Sequence, residues 1–232
     1  MICKEELIHY IVIEGCSLPR ILVVNAENPE KEAIKKAVAV IKAGGLIVYP
    51  TDTLYGLGAN ALDSEAVLKV FKVKARPLNQ ALPVIVSGIE MAEKLAVITD
   101  AAESLIKAFW PGSLTIILER KPAVPSVVTG GSDGIGLREP NHAVPLTISS
   151  LSGLPLTATS ANRHGGRDPV KLSDVLSQLT MGVDLFLDGG PAEIGVSSTV
   201  IDLSGEHPVI VREGPISRVD VERVIGRVDS GR

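Results

Sequence analysis

The strongest constraint on this chain is a series of short β-branched runs cut off by glycine, proline or charge. They read ILVV (21–24), LIVYP (46–50), LPVIVS (82–87), LTIILE (114–119), IGLRE (135–139), LPLTATS (154–160), DLFLD (184–188), STVIDL (198–203) and PVIVRE (208–213). Runs of this length with Val, Ile and Thr favour strands, and the punctuation limits each to a few residues. Between the early ones lie segments with apolar residues at helical spacing. In NPEKEAIKKAVAVIKAGG, Asn28 and Pro29 supply start signals, Ile34, Ala37, Val38 and Ile41 share a face, and Gly44-Gly45 stops the helix. DSEAVLKVFKVK opens on Asp63 or Ser64 as its cap, DAAESLIKAFW closes at Pro111-Gly112, and LSDVLSQL and SRVDVERVIG complete the helices. The pattern predicts roughly eight or nine strands with five or six helices. Strands and helices alternate early, which favours parallel pairing; the late strands follow one another, which favours hairpins. The expected fold is α/β with α+β character, a twisted mixed parallel and antiparallel sheet flanked by helices.

Aromatic residues make up only 3% of the chain, so the core must be built from Val, Ile, Leu and Ala. A net charge of −4 argues against a dedicated nucleic-acid binder. Cys3 and Cys16 both fall in the first twenty residues, which suits a reducing cytoplasm better than a disulfide framework. No run of about 18 apolar residues marks a membrane span, and Lys4-Glu5-Glu6, Glu14 and Arg20 break any signal-peptide pattern. Residues 1–19 read as an N-terminal extension ending at Pro19-Arg20, and residues 20–232 as a single domain.

Chemistry-bearing residues gather at strand ends, where ligand sites in open α/β sheets lie. GLGANA (56–61) imitates a dinucleotide fingerprint, but Pro50 ends the strand six residues early and no acid follows at the required offset. Thr51, Asp52 and Thr53 suit a capped turn, since such side chains satisfy loop amides; a ligand role is the alternative. In VKARP, Lys74 and Arg76 sit where a helix unwinds before Pro77, either as a solvated end or as two cations aimed at one anion. Arg138 in IGLREP, Thr157 to Asn162 in TATSAN, Ser197 to Thr199 in SSTVID and Arg212 in IVREG add hydroxyls, an amide and fixed cations. Each is weak alone; together they suit a polyphosphate and a small carboxylated substrate. The four histidines have no metal-ligand spacing, and Asp52 and Asp168 are the candidate general bases.

The ordered set YPTDTLYGLG, KARP, WPGSLTIIL, IGLREP, TSAN, SSTVIDL and VREG resembles the YrdC/TsaC family, the L-threonylcarbamoyl-AMP synthases, from about Ala33 to Gly214. The resemblance implies the YrdC-like fold with a concave, positively charged cavity. It implies that L-threonine, bicarbonate and ATP, with Mg²⁺ carried on the ATP, give threonylcarbamoyl-adenylate, pyrophosphate and water, the first step of threonylcarbamoyl-adenosine formation on tRNA. Lys74 and Arg76 would meet the phosphates and carry catalysis. Thr53, Arg138, Ala158 and Ser198 would hold L-threonine, and Gln80, Gly134, Ser160, Asn162 and Arg212 would join Lys74 and Arg76 on ATP. Thr51 to Gly58 would be a binding loop whose glycines let backbone approach the substrate. Relatives carry asparagine or lysine near Gln80, some a histidine where Ile85 stands, and commonly a serine where His164 stands. Longer relatives add a C-terminal domain, for which the residues after Gly214 are too few.

Implied partners are a downstream tRNA threonylcarbamoyl transferase complex and weak tRNA or double-stranded RNA binding, with no membrane. Two other readings stay open: another carbamoyl-adenylate-forming enzyme, and a double-stranded RNA-binding protein without synthase activity. Residues 1–19 contribute no motif to the site, so deleting them is expected to leave adenylate formation intact. A truncated protein that is soluble and folded but inactive would show that the extension covers or orders the pocket.

Overall fold

The computed structural model describes residues 19–231, so the expected extension and both cysteines lie, Pro19 apart, outside the described residues. In chain order the elements are β1 (Ile21–Val23), α1 (Lys31–Lys42), β2 (Ile47–Tyr49), β3 (Gly56–Gly58), α2 (Ser64–Lys74), β4 (Val84–Ile85), α3 (Ile89–Leu95), α4 (Asp100–Phe109), β5 (Leu114–Glu119) and β6 (Gly134–Arg138). There follow α5 (Ala143–Ser152), β7 (Leu156–Thr157), β8 (Thr159–Ser160), α6 (Leu172–Leu176), β9 (Leu185–Asp188), β10 (Thr199–Asp202), β11 (Val209–Arg212), α7 (Arg218–Ile225) and β12 (Asp229–Ser230).

The strands form two sheets rather than the one expected. The first runs β1-β9-β2-β3-β8 and the second β12-β11-β10-β5-β6-β4-β7. Both are mixed: β1, β9 and β2 are parallel, while β3 pairs antiparallel with β2 and with β8. The run LPLTATS, read above as one strand, serves both sheets. Leu156 and Thr157 pair with β4, Thr159 and Ser160 pair with β3, and the chain crosses at Ala158, whose N–H reaches the Pro83 carbonyl at 2.7 Å. A two-residue strand in each sheet carries no periodicity that distinguishes it from one longer strand.

Period-2 alternation decides which side chains face which layer. On β2, Ile47 and Tyr49 pack with Ile34, Ala37 and Ile41 of α1 and with Val144 and Ile148 of α5. Val48 points the other way and joins Leu57, Val67, Val70 and Phe71 in the larger core. In the second sheet Leu114, Ile116, Leu118, Ile135, Leu137 and Ile201 all face that core, with Leu105 and Ile106 of α4 against it. The intervening residues of β5, β6 and β10 therefore face away from it.

Several local signals read differently in three dimensions. α1 begins at Lys31, because Asn25 Oδ1 accepts from the N–H groups of Glu27 and Asn28 and folds 25–28 into a turn; the N-cap is Glu30. Asp63 is the cap of α2, accepting from Glu65 and Ala66 N–H. α5 was hidden by Pro145, which sits in the first helical turn where no intrahelical N–H bond is lost. Gly56–Gly58 is a strand, not the end of a loop. Its glycines make room for Tyr49, whose ring lies over them while its hydroxyl donates to the Thr157 carbonyl at 2.8 Å. A Cβ at Gly58 would sit 2.5 Å from Tyr49 Cε1, and one at Gly56 2.8 Å from Cζ. The glycines thus make room for a packed ring, and Gly56 also lines the cavity described below.

Gly58→Ala should therefore cost about 1–3 kcal/mol as overpacking of a fixed ring, read as a lower denaturant midpoint at unchanged slope. A change within about 0.5 kcal/mol would mean that the ring moves aside freely.

Candidate active site

A cavity of about 350 Å³ lies on the face of the second sheet that turns away from the core, a volume within the range of small-molecule sites. Its floor comes from alternate strand residues: Thr115 and Ile117 of β5, Gly134, Gly136 and Arg138 of β6, and Ser198, Val200 and Asp202 along and just before β10. The opposite wall comes from the first sheet and its loops, with Tyr49, Thr51, Thr53, Gly56 and Ser160. The site is thus a seam between two sheets.

Arg138 stands at the buried end, 7% exposed. Its Nε donates to the Gly112 carbonyl at 2.8 Å, Nη1 to Thr53 Oγ1 at 2.7 Å, and Nη2 to Asp52 Oδ1 at 2.5 Å. Asp52 is itself 4% exposed. Burial pushes the Arg138 guanidinium below its ordinary value and the Asp52 carboxylate pushes it back; a guanidinium with a buried carboxylate partner stays charged. Three of its five N–H groups are engaged, leaving one on each Nη. Asp52, committed to this pair, is not a free base. Asp168 is exposed and does not line the cavity.

The TDT segment forms the capped turn and also turns a hydroxyl toward the cavity. Thr51 Oγ1 accepts from the Thr53 and Leu54 N–H groups and donates to the Leu54 carbonyl, which is the capped turn. Thr53 Oγ1, freed from that task, accepts from Arg138 and lines the cavity. Across the floor, Ser198 Oγ lies 2.9 Å from Thr115 Oγ1, and Arg212 donates from Nε to the Ser198 carbonyl and from Nη2 to its hydroxyl.

Of the residues singled out by sequence, Thr53, Arg76, Gly134, Arg138, Ala158, Ser160, Ser198 and Arg212 line the cavity. Lys74, Gln80 and Asn162 do not. Gln80 offers its backbone carbonyl to Arg76 Nε at 3.3 Å. Lys74 is 1% exposed rather than a solvated helix end. Its ammonium donates to the Ser160 carbonyl, to the Asn162 carbonyl at 2.6 Å and to Asn162 Oδ1 at 3.1 Å. Asn162 Oδ1 also accepts from Ser160 Oγ at 2.7 Å, and its Nδ2 reaches the Gly166 carbonyl. Burial, with the nearby Arg76 charge, brings the Lys74 ammonium down to about 7, while Asp168 opposes this; its three oxygen acceptors also favour the charged form. Lys74 holds the TSAN loop from beneath, and Arg76 faces the cavity.

Sequence reasoning missed Tyr49, Thr115, Ile117, Gly136, Val200 and Asp202. A signal was available in GIGLR, where Ile135 and Leu137 alternate with Gly134, Gly136 and Arg138, and in Thr115 between Leu114 and Ile116; Ile117 and Val200, themselves apolar, carry no such mark. Among the described residues no group of three or more His, Cys, Asp or Glu side chains could hold a metal ion.

The sequence model of the family Sua5_yciO_yrdC, described as Telomere recombination, matches residues 39–214. The chain is similar to a protein of Pyrococcus abyssi named threonylcarbamoyl-AMP synthase, 40% identical over 209 residues, covering 89% of this chain and 62% of that one. It is similar to a Bacillus subtilis protein of the same name, 40% identical, covering 85% of this chain and 58% of the relative. The chain therefore spans roughly three fifths of the length of these two relatives. Among solved structures, that of P. abyssi Sua5 complexed with L-threonine superposes with a TM-score of 0.88 at 40% identity, covering 91% of this chain and 62% of that chain.

Lys74→Ala should cost about 1–3 kcal/mol, because it strands buried carbonyl oxygens, whereas Arg76→Ala, at a half-buried position, should cost less. Thermal or chemical denaturation of the two variants side by side checks this. Equal losses would remove Lys74 from its anchoring role.

Proposed function

The chain belongs to the Sua5_yciO_yrdC family, and from that premise we propose that it is an L-threonylcarbamoyl-AMP synthase. The observation that carries the reading is Arg138, a buried guanidinium held on three sides at the closed end of a cavity whose other cations are Arg76 and Arg212. A guanidinium fixed in this way can present its remaining Nη hydrogens to a carboxylate as a fork. The related Sua5 structure holds L-threonine, which supports a threonine site in this chain; the fixed guanidinium is the reason to put the amino acid at this end, with Thr53, Ala158 and Ser198 beside it.

The reaction needs no protein nucleophile. The neutral amine of threonine adds to carbon dioxide drawn from bicarbonate and loses a proton, giving a carbamate. A carbamate oxygen attacks the α-phosphorus of ATP, and pyrophosphate leaves. Two anions must be brought together, so the chain's task is positioning and charge stabilisation. Arg138 orients the threonine carboxylate, Arg76 and Arg212 face the phosphates, Ser160 and Ser198 supply hydroxyls between them, and Lys74 with Asn162 fixes Ser160 in place. The wall offers hydroxyls and one carboxylate rather than a metal cage. This suits Mg²⁺ arriving on the triphosphate with most of its waters, where it would neutralise charge on the leaving pyrophosphate. The product would pass to a tRNA threonylcarbamoyl transferase complex, and a cytoplasmic location accords with that step. No helix among the described residues is long and apolar enough to cross a membrane.

Purified protein should release pyrophosphate from ATP only when L-threonine and bicarbonate are both present; release that ignores either one contradicts the reading. Arg138→Lys should weaken apparent threonine affinity about tenfold to a hundredfold, the equivalent of one charge-assisted hydrogen bond. ATP affinity measured without threonine should change much less. Unaltered threonine affinity in a folded variant would remove Arg138 from the carboxylate site.

A further inference from the structure

Asp202 is the one carboxylate among the residues that line the cavity, and among the described residues no cation forms an ion pair with it. Arg212, which opposes Val200 across the β10–β11 pair, turns its guanidinium to Ser198, on the side of Val200 away from Asp202. Asp202 Oδ1 accepts both the N–H and the hydroxyl of Ser204, at 2.8 and 2.6 Å, and so closes the turn after β10. Its Oδ2 has no hydrogen-bond partner among the described residues.

The sheet register places this free oxygen. Asp202 lies beside Ile117, and Ile117 lies opposite Gly136, so the three form one row across β10, β5 and β6. A Cβ at Gly134 would meet Ile117 Cγ2 at 2.8 Å, so the glycines let the isoleucine lie across them as a low apolar floor. Arg138 stands two residues beyond Gly136. With strands ~4.8 Å apart and ~3.3 Å per residue, Asp202 and Arg138 are about 12 Å apart at Cα. The cavity is therefore polar along its length, with a guanidinium at the closed end and an unpaired carboxylate at the other. A carboxylate repels phosphate and accepts from hydroxyls.

We propose that Asp202 selects the nucleoside end of ATP by accepting a hydrogen bond from a ribose hydroxyl through its free oxygen, with the base resting on the Ile117 floor. The assignment rests on the synthase reading and adds to it a residue that fixes the direction of the nucleotide in the cavity. The triphosphate is excluded from the Asp202 end and directed toward the arginines, where the carbamate must meet the α-phosphorus.

Binding of ATP, 2′-deoxy-ATP and 3′-deoxy-ATP to wild-type protein and to Asp202→Asn tests this, measured by calorimetric titration without threonine. Asparagine keeps the oxygen that Ser204 uses, so the turn is preserved, and a thermal melt reports on it. In wild type, loss of the hydroxyl that faces Asp202 should weaken binding about tenfold. In the variant ATP should weaken about tenfold, and loss of that hydroxyl should then cost little more, because the two changes remove the same bond. Independent, multiplying losses would overturn the proposal. So would an equal loss for all three nucleotides with a lowered melting temperature, which is the result expected of a turn cap alone. Pyrophosphate release by wild type separates this from the parent reading. Intact threonine- and bicarbonate-dependent release with multiplying losses removes Asp202 alone. Absent release with the non-additive pattern retained keeps the nucleotide assignment and removes the synthase.

Discussion

The site depends on one buried ion pair. Arg138 belongs to the second sheet and Asp52 to the loop that leaves the first, and their contact at 2.5 Å, with Thr53 beside it, joins the two sheets at the closed end of the cavity. A buried pair gains little net stability over apolar packing, but removing either partner leaves an uncompensated charge and costs about 3–5 kcal/mol. Its consequence here is directional. Three engaged N–H groups hold the guanidinium in one orientation, and two remain uncommitted beside the cavity.

The rest of the seam is built by the same device of anchoring from behind. Lys74 reaches under the TSAN loop to three oxygens and fixes Ser160 without itself touching the cavity. Tyr49 lies across the two glycines of β3 and bonds the Thr157 carbonyl, just before the chain crosses from one sheet to the other. Arg212 is held over Ser198 through both its backbone and its side chain. Ser160 and Arg212, which face the cavity, are thereby held by buried neighbours, and groups fixed in advance need no reorganisation when charge develops beside them.

Charge is also sorted along the cavity. Arg138, Arg76 and Arg212 stand against a single carboxylate, Asp202, which is the contrast on which the proposed direction of the nucleotide rests. Chemistry that joins a carbamate to an α-phosphorus needs such a direction, because reactants oriented before they meet avoid much of the entropic cost of encounter.

The sequence by itself determined the α/β class, the helices with a strong apolar stripe, and the strand-end residues that gather at the site. The stripe of α1 over Ile34, Ala37 and Ile41 and the alternation of GIGLR are local periodicities, and local periodicity survives into the fold. The ordered motifs likewise pointed to the family before any packing was known. Tertiary structure alone decided that there are two sheets, that LPLTATS divides between them, that GLG is a strand under a tyrosine ring, and that Lys74 is buried while Arg76 is not. It also decided which alternate residues of β5, β6 and β10 form the floor. These outcomes depend on which strands pair and which face a neighbouring layer covers, and such pairings join residues a hundred positions apart, beyond any window in which a sequence pattern repeats.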